Sequence, residues 1–250
     1  MARRGGGGRR QRQRRQQVQY EELDKYPVMP PHAFARIVRD LRTLNIIYQV
    51  IEPPLTKKEE EVRSEIMDIF IQALTADIEE IDANPELYLR AAMDQIVKSY
   101  RLKVNKKSRS KIFYYLKRDL ICYGRMDVLM NDANVEDVSL DGTNIPIFAY
   151  HRKFESVETT LSWPDDPELE SYVIKLAQRC GKHISVAEPL LDATLMDGSR
   201  IVMKLGREVS TRGSTFCIRR FREDPFSPCD IVAFRTMTSL MVAYLWIAFQ

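Results

Sequence analysis

Apolar residues recur at helical spacing over the stretch that follows Pro53 and Pro54. Val62, Ile66, Ile69, Phe70, Ala73, Leu74, Ile78 and Ile81 fall on one face of a 3.6-residue period, with polar and charged residues between them. Thr56 with Glu59 three residues on has the form of a capping box, so the pattern predicts an amphipathic helix that starts there. Two further helices are predicted, from about Pro85 to Tyr100 and from about Ser108 to Tyr123, the second with Ile112, Leu116 and Leu120 on a single face. Ahead of them, Tyr20 to Pro54 is punctuated by Pro27, Pro30, Pro31, Pro53 and Pro54 around one helical stretch and the apolar run Ile46 to Ile51, a strand that ends at the proline pair. Residues 20–124 are therefore expected to form a proline-punctuated helical subdomain whose residues 56–123 make a small bundle.

After Gly124 the period changes. Alternation near Val135 to Leu140 and Ile145 to Tyr150, around Asp141-Gly142, predicts two strands and a turn. Asp166 as N-cap, Pro167 at the first helical position and Gly181 past the end delimit a helix whose buried face is Leu169, Tyr172, Val173, Leu176, Ala177 and Cys180. Ser199 to Leu205 and Thr215 to Phe221 read as strands. On the second, Phe216, Ile218 and Arg220 share one face while Cys217, Arg219 and Phe221 share the other. Too few strand-helix-strand units occur for a doubly wound sheet, so the expected fold class is α+β, a helical bundle followed by a mixed sheet-and-helix domain over residues 125–221.

At 44% hydrophobic residues over 250 positions the chain can bury one good-sized core or two smaller ones. The formal charge of +3 is unevenly placed, because the first 17 residues hold seven arginines and no acid. Residues 1–19 are accordingly expected to be a disordered basic tail that touches polyanions without specificity. Cys122, Cys180, Cys217 and Cys229 include no CxxC pair, and His32, His151 and His183 stand singly, so neither a zinc site nor a disulfide framework is indicated. The arginines at the N-terminus precede no apolar h-region, which points to a reducing cytoplasm. Ile231 to Phe249 is largely apolar, but Arg235 interrupts it, and a buried helix is expected there rather than a transmembrane span. Its apolar ending at Gln250 implies a packing partner beyond the end.

Between Arg200 and Arg222 lie Arg200, Lys204, Arg207, Arg212, Arg219, Arg220 and Arg222 against one acid, Glu208. Such density wants an anionic partner, and a guanidinium is planar, permanently charged and suited to bidentate phosphate contact. His151 beside Arg152 and Lys153, and His183 beside Lys182, have no partner spacing that defines a catalytic site, and packing or surface roles are expected for them. Asp137 and Asp141 flank a turn, which accounts for them without a metal.

Lys111 to Phe154 and Lys175 to Pro228 closely resemble the N-terminal region of archaeal type II/IV secretion-superfamily ATPases, which include archaellum motor, pilus and secretion ATPases. The most distinctive stretches are Val186-Ala187-Glu188-Pro189-Leu190-Leu191-Asp192 and Ser210-Thr211-Arg212-Gly213-Ser214-Thr215-Phe216. The resemblance implies a two-domain hexamer in which a RecA-like half follows the N-terminal region. Residues 222–237 then look like the linker and residues 238–250 like the first helix of a truncated RecA-like domain. No G-x-x-x-x-G-K-[ST] occurs among these residues, so ATP and Mg2+ are implied only through that missing half, and no catalytic residue is assigned. The resemblance places Arg200, Arg207, Arg212 and Arg219 against the nucleotide phosphates. It also implies a membrane platform protein as partner and a position on the cytoplasmic, inner face of the membrane. The alternative is a non-catalytic nucleic-acid- or polyanion-binding protein that uses the arginine-rich tail and patch, although aromatic residues at base-stacking spacing are scarce there.

Overall fold

A computed structural model describes residues 19–72, 84–102, 104–221 and 226–249. In chain order the elements are β1 (Tyr20–Met29), β2 (Ala33–Asp40), β3 (Ile46–Ile51), α1 (Lys57–Gln72), α2 (Pro85–Ser99), α3 (Lys106–Leu120), a 3-10 turn (Gly124–Met126) and α4 (Asp127–Asn131). They continue as β4 (Val135–Leu140), β5 (Pro146–His151), β6 (Glu155–Ser162), α5 (Asp166–Arg179), β7 (Leu190–Thr194), β8 (Arg200–Lys204), β9 (Thr215–Arg219), α6 (Pro228–Ala233) and α7 (Ser239–Ala248). The α+β class expected from the sequence is the one observed. The chain divides into two compact units, the first Met1–Ala133 with Pro146–Ala149 and Phe154–Ser162, the second Asn134–Ile145 with Tyr150–Lys153 and Trp163–Gln250.

In the first unit, β1, β2 and β3 form an antiparallel meander, and β3 pairs in parallel with β6 through Ile47 opposite Glu158 and Tyr48 opposite Thr159. This corrects the expectation of a helical subdomain from residue 20: the strand expected at Ile46 to Ile51 is present as β3, but β1 and β2 stand where one helical stretch was expected. Ala33, Ala35 and Ile37 are fully buried at period two, while Arg36 and Arg39 reach across to Glu22 and Glu21 at 2.5 and 3.2 Å. The prolines that read as breakers fit because β1 lies at the sheet edge, where Pro27 forfeits no central ladder bond. Strand β6, too, has no counterpart in the sequence reading.

The capping box is present: the Thr56 amide donates to Glu59 at 2.8 Å and the Glu59 amide to the Thr56 hydroxyl at 3.3 Å. Ile66 of α1 packs with Leu89, Met93 and Ile96 of α2 and with Ile112 and Leu116 of α3. Ala73, Leu74, Ile78 and Ile81, assigned to the first helix, lie outside the described residues. Tyr114 and Tyr115 of α3 meet Ala33 and Val128. The Tyr114 hydroxyl donates to Glu52 at 2.8 Å, and Arg118 Nη1 reaches both Glu52 oxygens at 2.9 and 2.7 Å.

In the second unit the strand order is β4-β9-β8-β7, all antiparallel. Helix α5 covers one face of this sheet with Leu169, Val173, Leu176 and Ala177, all buried, and Trp163 meets Phe216 edge-on at 5.8 Å. At its start one expectation is corrected. The N-cap is Asp165, whose carboxylate accepts from the Glu168 amide at 2.9 Å, and Asp166 is the first helical residue. The apolar stretch after Ile231 is not a buried helix either. Ser227 and Thr238 cap two short helices separated by Arg235 at φ +58°, and no residue of either helix is buried. Among the described residues no helix is long and apolar enough to cross a membrane.

One buried polar cluster in the first unit sets a stability expectation. The hydroxyls of Tyr26 and Tyr48 both donate to Asp132 Oδ2, at 2.6 and 2.7 Å, and Asp132 is 2% exposed. Burial, reinforced by the Asp132 charge, pushes the Tyr48 phenol far above its ordinary value, so it remains a donor at any working pH. Asp132→Ala is expected to cost about 3 kcal/mol, because the buried Tyr48 hydroxyl and the half-buried Tyr26 hydroxyl both lose a charged acceptor. Tyr26→Phe, which strands no buried donor, is expected to cost about 1 kcal/mol. Urea unfolding of the two variants measures the difference.

Candidate functional site

The basic region between Arg200 and Arg222 is carried by β8, β9 and the loop that joins them. Because Ile201, Met203, Phe216 and Ile218 are buried against α5, their neighbours Arg200, Val202, Lys204, Cys217 and Arg219 face outward. The expected alternation along 215–221 is observed. Arg200 stands directly opposite Arg219, with Asp137 opposite Arg219 on β4 and Thr194 opposite Arg200 on β7. Two like charges side by side are unfavourable, and each is answered by a carboxylate. Arg219 Nε lies 3.2 Å from Asp137, and Arg200 Nη2 lies 3.4 Å from the diagonal neighbour Asp192. All four side chains are at least a third exposed, so each pair contributes at most about 1 kcal/mol. Asp137, placed beside a turn by the sequence reading, sits within a strand and serves Arg219.

Arg207 and Arg212 occupy the loop at the far end of the same strands. Lys204 lies four residue steps along the strand from Arg200, so the loop begins about 13 Å from the Arg200–Arg219 pair. The four arginines assigned together from the sequence thus fall into two groups, one on the sheet face and one on the loop. Arg207 Nε is 2.6 Å from Asp166 Oδ2, and that hydrogen bond, followed by one from the Thr143 hydroxyl, holds the Asp166 carboxyl below its ordinary value. Arg212 is exposed and forms no ion pair among the described residues. Arg220 is half-buried, with Nη1 donating to the Val135 carbonyl at 2.8 Å, and Arg222 lies outside the described residues.

Three segments distant in sequence meet at this loop. The Thr143 amide donates to the Arg212 carbonyl at 2.9 Å, the Thr143 hydroxyl donates to Asp166 Oδ1, and the Gly206 amide donates to the buried Ser214 hydroxyl at 2.9 Å. Gly213, at φ +101°, lies where a Cβ would come within 2.8 Å of both Asp166 Oδ1 and Thr143 Oγ1. Gly142, at φ +134°, lies where a Cβ would collide with the Arg212 carbonyl. Sequence reasoning missed Asp166, Thr143 and Asp192 as partners of the arginines. The doublet Asp165-Asp166 ahead of Pro167 carried the signal, since one helix start needs only one cap.

The remaining candidates are packed or uncommitted. His151 is 2% exposed, and its Nδ1 accepts from the Lys153 amide at 3.1 Å. His183 is exposed. None of the four cysteines is in a disulfide, and burial pushes Cys180 and Cys217 up from the ordinary thiol value.

No protein-family model matches the chain. Among curated proteins it is 40% identical over 164 residues to the uncharacterized protein MJ1288 of Methanocaldococcus jannaschii, a match covering 65% of each sequence. Two further proteins of that organism are similar: MJ0900, 34% identical over 150 residues, and MJ0781, 32% identical over 143 residues. Those matches cover 60% and 57% of this chain but 27% and 19% of the relatives, so the chain spans less than two thirds of each relative's length. Among solved structures it is similar to the VirB11 ATPase from the Brucella suis type IV secretion system in complex with sulphate, at 17% identity and a TM-score of 0.37, over 51% of this chain and 35% of that one.

The close approaches at the loop generate a graded expectation. Gly142→Ala forces a side chain against backbone at positive φ and is expected to destabilise the chain by about 3 kcal/mol. Gly181→Ala, also at positive φ (+66°) but with open space around it, is expected to cost about 1 kcal/mol. Thermal unfolding of the two variants tests the ordering.

Proposed function

We propose that this chain supplies the N-terminal assembly and nucleotide-contacting region of a hexameric ATPase that drives secretion or the assembly of an archaellum or pilus at the cytoplasmic face of the membrane. The observation that carries this reading is the way the loop presents Arg212. Its backbone is fixed by Thr143 and its neighbour Gly213 is seated against Asp166, yet its guanidinium is exposed and unpaired among the described residues. The motif Ser210 to Phe216, on which the resemblance to secretion ATPases rests, is the segment that makes this arrangement. ATP and Mg2+ would be held by a RecA-like half, with Arg212 aimed at the phosphates from outside, where a fixed cation acts on charge developing in phosphoryl transfer. Arg200, Arg207 and Arg219 each face a carboxylate, so they would contact phosphate only by exchanging that partner.

The test joins the full chain to a RecA-like half that carries a phosphate-binding loop and compares ATP turnover with that of the RecA-like half alone. Turnover is expected to rise on joining. Arg212→Ala is then expected to lower kcat by at least about tenfold, toward the thousandfold that an arginine acting on the transition state supplies. Parent-rate turnover by a folded, hexameric Arg212→Ala variant overturns the nucleotide-contacting role. If salt-sensitive binding of single-stranded RNA falls in that same variant, the polyanion-binding reading takes its place.

A further inference from the structure

We propose that Asp166 is a positioning residue, a latch that uses Arg207 as a strap to hold the 205–214 loop in the conformation presenting Arg212. The latch is an arrangement within the second unit. Its functional consequence rests on the nucleotide-contacting role proposed above.

The doublet at the start of α5 divides its work. Asp165 accepts from the Glu168 amide and satisfies the helix end, which leaves the Asp166 carboxylate free to serve another segment. Both of its oxygens are engaged, Oδ2 by Arg207 Nε at 2.6 Å and Oδ1 by the Thr143 hydroxyl, and Gly213 is seated against Oδ1. Thr143 in turn gives its amide to the Arg212 carbonyl, so one carboxylate ties the β4–β5 turn to both flanks of the loop. These bonds engage the loop through the Arg207 side chain and through backbone, and none engages the Arg212 guanidinium. An arrangement evolved only to neutralise positive charge would pair both arginines. This one binds one and leaves the other exposed.

Hydrogen exchange of the full 250-residue chain, read amide by amide, tests the latch without any ATPase. Asp166→Ala and Arg207→Ala are each expected to raise exchange at residues 206–213 at least tenfold, the double variant no further than the larger single effect, with α5 beyond its first turn unchanged. If Asp166→Ala loosens the whole unit, Arg207→Ala decides, because it removes the same bond from an exposed side chain: a rise confined to the loop supports the latch. Unchanged loop exchange in Arg207→Ala overturns it. In the fused ATPase, Asp166→Ala is expected to lower kcat with KM unchanged, and Asp166→Ala combined with Arg212→Ala to be no slower than Arg212→Ala alone. A general loss of packing would not produce that non-additivity. Parent-rate turnover by Arg212→Ala defeats the nucleotide reading while the exchange data stand by themselves. A fall for Arg212→Ala with none for Asp166→Ala, despite a loosened loop, defeats the positioning role.

Discussion

The burial of one face of β8 and β9 beneath α5 fixes where every charged side chain in the basic region can go. Ile201, Met203, Phe216 and Ile218 are 2% exposed or less, and each contributes about 2 kcal/mol by leaving water. A slip of one residue would expose all four, a loss several times the worth of any ion pair on the outer face. Register is therefore set from inside, and Arg200 and Arg219 are placed opposite each other whether or not electrostatics favours it. Asp137 and Asp192 follow as local compensation. The ion pairs on this face are consequences of the fold and contribute little to its cause.

Loop residues escape that constraint and need another. The backbone between Lys204 and Thr215 has no ladder to satisfy it, so its geometry comes from the Ser214 hydroxyl, the Thr143 amide and the Asp166 carboxylate. Such positions are where a scaffold can hold a charge without neutralising it. The two groups of arginines differ on this point: the sheet pair is exposed but answered by acids, and the loop pair has one arginine tied down and one with no ion pair among the described residues.

Much of this was legible in the sequence wherever a single period dominated. The helices α1 to α3, the strands β3, β4, β5, β8 and β9, and the two faces of β9 follow from apolar runs and spacing. What escaped was structure whose cause lies elsewhere in the chain. Strands β1 and β2 read as punctuated and partly helical, because the backbone ladder that holds them, from Tyr20 opposite Asp40 to Met29 opposite Ala33, is a contact between segments that the spacing within either one does not display. Strand β7 is five residues long and sits at a sheet edge, where Lys182 donates to the Asp192 carbonyl at 2.7 Å. The basic cluster was visible as composition, and the expected strands put Arg207 and Arg212 in the segment between them, but which arginines would meet a carboxylate was not visible, since Asp137, Asp166 and Asp192 lie on other segments of the chain.

The one-residue error at the start of α5 has the largest consequence of these. With Asp166 as the cap, its carboxylate would be consumed by the helix end and Arg207 would be a free cation equivalent to Arg212. With Asp165 as the cap, the same two aspartates perform different tasks, and the two loop arginines cease to be equivalent. Local propensity allows either residue to cap, because Asp is favoured at the N-cap and tolerated one position later, before Pro167. Tertiary contacts break the tie: Thr143, Arg207 and Gly213 surround the second carboxylate, and no such group is needed by the first. A choice nearly neutral for the helix therefore decides which charge the unit presents to its surroundings.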